Sequence, residues 1–364
     1  LSPDIIGLQE IQDNSGPTND GVVSASDTYE LLVAAISAAG GPTYEFREIA
    51  PVDLADGGQP GANIRVGFLF NPARVDFVDR PGADAETSTA FVAGDPDLEL
   101  TFSPGRIDPT NIAYADSRKP LAGEFVFNGE KVFVVVAHFN SKSGDDALFG
   151  RVQPPVLESE VQRLLIAQVV NDFIDSALAL DSDANVVVLG DLNDFEFSAP
   201  LSVLAADGAL TNLVFDIAED ERYSFNFDGN SQLLDHILVT ESLAGRVTDI
   251  DIVHGNADLA DAFQDSDHDP VLARIRVGPK GLKLDVIDDL SALLPSGDRN
   301  TDRRLGRAIA QVEASLNPEW WVDDQTINTQ KVFDRERTTI VQLELVVASG
   351  GPEAAVAQAA IEAT

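Results

Sequence analysis

The chain reads as an α/β protein, a layered sandwich with mixed, largely antiparallel sheets, followed by a small helical module. Three observations lead there. Strand-like apolar runs alternate with helical runs through about residue 277. Two adjacent strand runs are joined by Asn128-Gly129, a hairpin signal because both residues tolerate φ > 0, so at least some neighbours run antiparallel. After Gly278-Pro279-Lys280-Gly281 the strand runs stop and helical patterns take over.

The elements follow in order. Pro3–Glu10 reads as a strand already under way, and the chain has no Met, so material before residue 1 is expected. Thr28–Ala39 is a helix that stops at Gly40-Gly41. Residues 41–63 and 79–118, rich in Gly, Pro, Asp and Ala, read as long loops. Between them Ile64–Phe70 is a strand closed by Asn71-Pro72. Glu124–Phe127 and Lys131–Ala137 are the hairpin strands. Ser159–Leu180 is a helix opened by a capping-box pattern, Ser159-x-x-Gln162, with Val161, Leu164, Leu165, Val169 and Phe173 as its apolar face. Asn185–Leu189, Leu233–Thr240 and Val271–Val277 are further strands. Residues 278–281 then read as a linker, and Leu282–Leu294, Asp302–Leu316 and Thr329–Val347 as the helices of a module spanning 282–347. Asn317-Pro318 and Pro295-Ser296-Gly297 break them, and Trp320 and Trp321 pin them. Residues 348–364 read as a linker or frayed tail.

Composition narrows the chemistry. With 364 residues and 44% hydrophobic content there is material for one large core or two domains. The absence of Cys excludes disulfides, thiolate metal sites and a cysteine nucleophile. No apolar run approaches the roughly 18 residues that span a bilayer. The formal net charge of −37 repels nucleic acid and anionic lipid at long range. Salt shortens that field, and a bound divalent cation reverses its sign locally. The charge therefore opposes tight, sequence-specific DNA recognition, but it does not oppose cutting a phosphodiester.

Acid, amide and imidazole groups cluster where apolar runs end. Glu10 closes the first strand, where a carboxylate suits a hard cation such as Mg²⁺, although a solvated strand end looks the same. His138 ends an apolar run and is followed by Asn140, Ser141 and Lys142; an imidazole there can donate a proton to a leaving oxygen, or simply be a satisfied core histidine. Asp191 and Asn193 follow Asn185–Gly190 two residues apart and share a face. The acid can orient water or bind metal, and the amide can hold a phosphate oxygen. Asp235 lies within a strand, where a buried carboxylate needs a partner, and the candidate is His268 in Ser266-Asp267-His268-Asp269-Pro270. Such a pair makes a general base, and Asp267 is a further candidate metal ligand. Arg118 can brace the carboxylates or touch phosphate. His236 should face away from Asp235.

Gln9-Glu10, Ser117–Leu121, His138–Lys142, Gly190–Asp194, Leu234–Leu238 and Ser266–Pro270, in that order, resemble the endonuclease/exonuclease/phosphatase family over roughly residues 1–277, and bacterial secreted or surface nucleases within it. The resemblance implies a four-layered α/β sandwich lacking its first strand, and Mg²⁺ on Glu10, with Mn²⁺ or Ca²⁺ as substitutes. It implies His138 as the phosphate-contacting acid, Asp191 and Asn193 positioning water and phosphate, and Arg118 as the bracing arginine; Asn140 and Arg118 are the expected substrate contacts. Asp235 orients His268 as general base, and Asp267 is a second acidic or metal-binding group. Ile64 departs from the pattern, standing where deoxyribonuclease I-like members place a Glu to pair with the acid His. The function expected is a metal-dependent phosphodiesterase, an extracellular or cell-surface bacterial nuclease with little sequence preference. Its rivals are a phosphatase or sphingomyelinase-like phospholipase of the same fold, and a non-catalytic module of a surface protein.

Overall fold

The computed structural model describes residues 2–94, 98–127, 129–147, 150–317, 320, 330–349, 351 and 353–363. The chain divides into two units, Leu1–Val126 with Lys131–Arg274, and Phe127–Glu130 with Ile275–Thr364.

The first unit begins with β1 (Ile5–Ile11), α1 (Ser26–Ala38), β2 (Glu45–Glu48) and β3 (Arg65–Phe70). The strands form an antiparallel sheet in the order β1-β3-β2. Alternation along β3 splits its side chains between two faces. Leu69 joins Tyr29 and Tyr44 beneath α1, where Tyr29 stacks on Phe46 at 4.7 Å. Phe68 and Phe70 point the other way.

A second, seven-stranded sheet follows. Its approach consists of β4 (Asp76–Phe77), β5 (Phe91–Ala93), β6 (Leu98–Leu100) and β7 (Gly105–Arg106). The long strands are β8 (Leu121–Phe127) and β9 (Glu130–His138), then α2 (Glu160–Leu180), β10 (Val186–Asp191), α3 (Ala199–Leu204) and β11 (Thr211–Asn212). After them come β12 (Phe225–Phe227), β13 (Asn230–Gln232), β14 (Asp235–Val239), α4 (Glu241–Ala244), β15 (Val247–Ile252) and β16 (Val271–Ile275). The sheet runs β11-β14-β10-β9-β8-β4, with β7 also on β8; β5–β6, β12–β13 and β15–β16 are two-stranded. The β9–β10 pair is parallel, as the intervening α2 crossover requires, and the β10–β14, β11–β14, β4–β8 and β7–β8 pairs are antiparallel.

The two sheets meet face to face. Phe68 and Phe70 of β3 pack edge-on against Phe125 of β8, at 5.4 and 6.0 Å between ring centroids. A Cβ on Gly7 of β1 would stand 2.2 Å from a Leu189 methyl, so the missing side chain lets β1 lie on β10. The opposite face of the second sheet buries Phe133, Val135, Val186 and Val188 against Ile166, Val170 and Ile174 of α2 and Leu201 and Leu204 of α3. The layers are thus α1, sheet, sheet and α2 with α3: a four-layered α/β sandwich.

Several expectations need correction. The buried stripe of α2 is Ile166, Val170, Phe173, Ile174 and Ala177, while Val161 and Leu165 are exposed; a run rich in apolar residues on all sides did not reveal which stripe the sheet would take. The Ser159–Gln162 capping box does not form. Asp145 and Arg163 capture the Ser159 hydroxyl, and Gln162 donates to the carbonyls of Ala113 and Ala115. The two supposed long loops hold short strands, β2 in one and β5, β6 and β7 in the other.

In the second unit, residues 278–281 are no linker, because α5 (Pro279–Ala292) starts there with Pro at a position where no helical N–H is needed. It is followed by α6 (Arg299–Ser315), α7 (Gln330–Val347) and α8 (Ala354–Ala363). The tail is therefore helix and not a linker, since Ala357 and Ala360 are small enough to bury beside Leu290, Leu305 and Leu343. Asn128, Trp321 and Thr329 lie outside the described residues. No described helix is long and apolar enough to cross a membrane.

Candidate active site

Strand register assembles the site. His138 at the end of β9 is level with Asp191 of β10, and Asp191 with Asp235 of β14. Partners in register project to the same face, so the three side chains stand side by side on the face turned toward β1. His236, one residue on, faces the other way, with its ring nitrogens on Asn212 (3.1 Å) and the Asp194 carbonyl (2.9 Å).

Three backbone distortions aim the groups. Gly190 has φ 137°, and a Cβ there would lie 1.9 Å from the Ala137 carbonyl of the parallel strand, so only glycine fits. Asn193, at φ 51°, folds back on Asp191: its backbone N–H donates to Oδ1 at 2.8 Å, and its amide to Oδ2 and to the Phe139 carbonyl, both at 3.1 Å. Glu10 sits at φ 59° where the β1–β3 register slips between Leu8 and Ile11. A bulge of this kind re-aims a side chain. It leaves the carboxylate 68% exposed with Oε1 3.9 Å from His138 Nε2.

His268 Nδ1 lies 2.6 Å from Asp235 Oδ2, which also accepts from the Ser224 hydroxyl at 2.6 Å. The Phe225 ring stacks on the imidazole at 4.7 Å. Burial alone would lower the imidazole's pKa, but the hydrogen bond and charge of Asp235, with the charges of Asp191 and Asp267, outweigh it and raise it to about 9. Burial, then the charge of Asp235, pushes the Asp191 carboxyl up.

His138 behaves differently. Arg118 Nε approaches its Nδ1 at 3.3 Å. A guanidinium only donates, so Nδ1 accepts and the ring proton sits on Nε2, which lies 3.4 Å from Asp191 Oδ2. Burial first, then the charges of Arg118 and His268, hold its pKa well below the ordinary histidine value. With its Nδ1 accepting from Arg118, His138 presents Nε2–H as a donor toward the site. Arg118, which also donates to the Phe139 carbonyl at 2.5 Å, is buried as its brace.

Two expected residues do not join. Asn140 turns its amide to the Ser159 carbonyl at 3.1 Å, at the start of α2. Asp267 is exposed and outside the group formed by Asp191, Asp235 and His268, whose ligand atoms lie within 4.8 Å of one another. Within that group Asp235 and His268 are engaged with each other. Glu10 and Asp191 both reach toward the same His138 nitrogen, which makes their oxygens candidates to hold a cation there. Carboxylate oxygens with room for waters are what a hard divalent ion takes, so the donor set fits Mg²⁺.

Sequence reasoning missed Ser224 and Arg163. Ser224, just before β12, gives no signal in a segment where the sequence showed no motif. Arg163 does: it continues the buried α2 stripe one turn before Ile166, where a charge needs partners. Fully buried, it bonds Asp194 at 2.8 Å and Asp145 at 3.1 Å and reaches the Asn140 and Ser141 carbonyls, tying the loops after His138 and Asp191 together.

Residues 105–262 match the model of the Endonuclease/Exonuclease/phosphatase family. Solved structures similar to the chain include TDP2 of D. rerio complexed with a single-strand DNA product, at 16% identity, covering 74% of this chain and 84% of that one, with a TM-score of 0.43. A mannosyl-6-phosphatase of Bacteroides thetaiotaomicron matches at 15% identity, 75% and 85% coverage and TM-score 0.44. The human Nocturnin catalytic domain matches at 13% identity, 75% and 82% coverage and TM-score 0.43. No curated protein matches the sequence.

Proposed function

We propose that the chain, whose residues 105–262 match the model of the endonuclease/exonuclease/phosphatase family, is a divalent-cation-dependent phosphodiesterase that hydrolyses nucleic acid with little sequence preference. The observation that carries this reading is the 2.6 Å His268–Asp235 pair in line with Asp191 and His138 across adjacent strand ends.

Each residue has a task in that reading. Asp235 holds His268 with Nδ1 protonated, so Nε2 takes the proton from attacking water. Asp191, tethered by Asn193, orients that water, and the Nε2–H of His138 donates to a phosphoryl oxygen. Arg118 fixes the tautomer that makes this donation possible. Glu10 and Asp191 would hold Mg²⁺, or Mn²⁺ or Ca²⁺ in its place, which would supply charge neutralisation at the phosphoryl group.

The net charge of −37 favours a second reading, a phosphatase acting on small esters that feel less repulsion than a polyanion. Hydrolysis of an oligonucleotide and of a panel of phosphate monoesters, each with Mg²⁺ and with EDTA, separates them. Cation-dependent cleavage of the oligonucleotide is expected. Monoester turnover with an intact oligonucleotide selects the second reading, and EDTA-resistant cleavage removes both.

A further inference from the structure

The helical unit carries a surface unlike the rest of the chain. Residues 275–364 hold 10 of the 24 Lys and Arg but only 14 of the 61 Asp and Glu. Three of those arginines, Arg299, Arg303 and Arg307, recur every fourth residue along α6 and share one exposed face. Among the described residues none of the three has an ion pair or a side-chain hydrogen bond. Their neighbours are engaged: Arg304 donates to the Leu345 carbonyl at 2.8 Å, Arg335 to Gln311 at 2.7 Å, and Asp302 accepts from Ser296 at 2.6 Å.

Such a ladder is costly where it stands. Like charges four residues apart on a helix repel. A chain so rich in acid has the means to neutralise them, yet the same face carries Asn300, Gly306 and Ala310. The small residues leave low ground between the guanidinium groups. Four residues of helix advance about 6 Å, on the scale of the distance between successive phosphates along one strand. Planar guanidinium groups suit bidentate contact with phosphate oxygens. In the sandwich unit, by contrast, Arg65, Arg106, Lys119 and Arg163 are buried against Glu48, Asp56, Asp145 and Asp194.

We propose that the Arg299–Arg303–Arg307 face of α6 binds the phosphate backbone of a nucleic acid strand, giving an otherwise repellent chain a landing surface for a polyanionic substrate. The choice of nucleic acid rests on the phosphodiesterase reading; the stripe does not.

The test is fluorescence anisotropy of a labelled oligothymidylate against the full chain in EDTA, titrated over NaCl, for wild type and Arg299→Gln/Arg303→Gln/Arg307→Gln. For three lost single-strand contacts the slope of log K against log salt should shrink by about 2. Turnover of bis(p-nitrophenyl) phosphate and the circular dichroism spectrum should stay unchanged. The proposal is overturned if wild type does not bind at low salt or if the variant keeps the wild-type affinity and slope. Loss of binding to phosphatidylglycerol vesicles with oligonucleotide binding intact overturns it too. Binding through the stripe by a wild type that cleaves no phosphodiester defeats the functional reading and leaves this one standing.

Discussion

Glu10, Gly190 and Asn193 all occupy left-handed backbone, and all three lie at the candidate site. Strain of this kind persists only where surrounding structure imposes it. For Gly190→Ala the new methyl meets the Ala137 carbonyl at a φ that L residues rarely adopt, so a loss of about 2 kcal/mol or more is expected in urea unfolding, with reduced activity. A variant as stable and active as wild type contradicts the geometry. The residue types were legible in the sequence: an Asp inside an apolar strand announces a partner, and His268 is that partner. The protonation of His138 was not legible, because it depends on Arg118, twenty residues away and brought alongside only by the fold. The orientation of Asn140 and Asp267 was not legible either, since a polar residue beside a motif does not declare which way it turns.

Among elements, the loop leading into β16 sets His268 in place through Asp269. Burial would raise that carboxyl, but His254 at 3.0 Å and the backbone N–H groups of Gly255, Asn256 and Ala257 hold it below its ordinary value. Burial would lower His254, but the same hydrogen bond and charge raise it. A depressed acid stabilises above its unfolded pKa and loses that contribution as pH falls through its folded one. A raised imidazole stabilises below its unfolded pKa and loses that contribution as pH climbs through its folded one. The pair is therefore fully effective between about pH 4 and 6.5. The thermal midpoint of wild type should exceed that of Asp269→Asn most within this window. A gap independent of pH would show that the pair does not titrate as described. The strands read from apolar runs were found with ends shifted by at most three residues, whereas β15 and the short strands β2, β4 to β7 and β11 to β13 were not read. The face of α2 was not, because its apolar residues surround the helix and the choice belongs to the sheet it covers.

For the whole molecule, the two units have separate cores, one between and behind the sheets and one among α5, α6, α7 and α8. The change at residues 278–281 was visible as the end of strand runs, whereas α8 was hidden because alanine-rich sequence also looks like a frayed end. The uneven charge makes stability depend on salt. A net charge of −37 repels itself, and screening contracts the Debye length from about 10 Å at 0.1 M to about 3 Å at 1 M. The thermal midpoint should rise with NaCl over that range, and a fall would mean that attractive pairs dominate.

The central claim, that His268 and Asp235 act as one acid–base unit in phosphodiester hydrolysis, is tested most directly by Mg²⁺-supported turnover of wild type, His268→Ala, Asp235→Ala and the double variant. Loss of His268 should cost about 10²- to 10⁴-fold, and adding Asp235→Ala should cost little more, because the carboxylate works through the imidazole. Wild-type turnover in His268→Ala, or losses that multiply in the double variant, would contradict it.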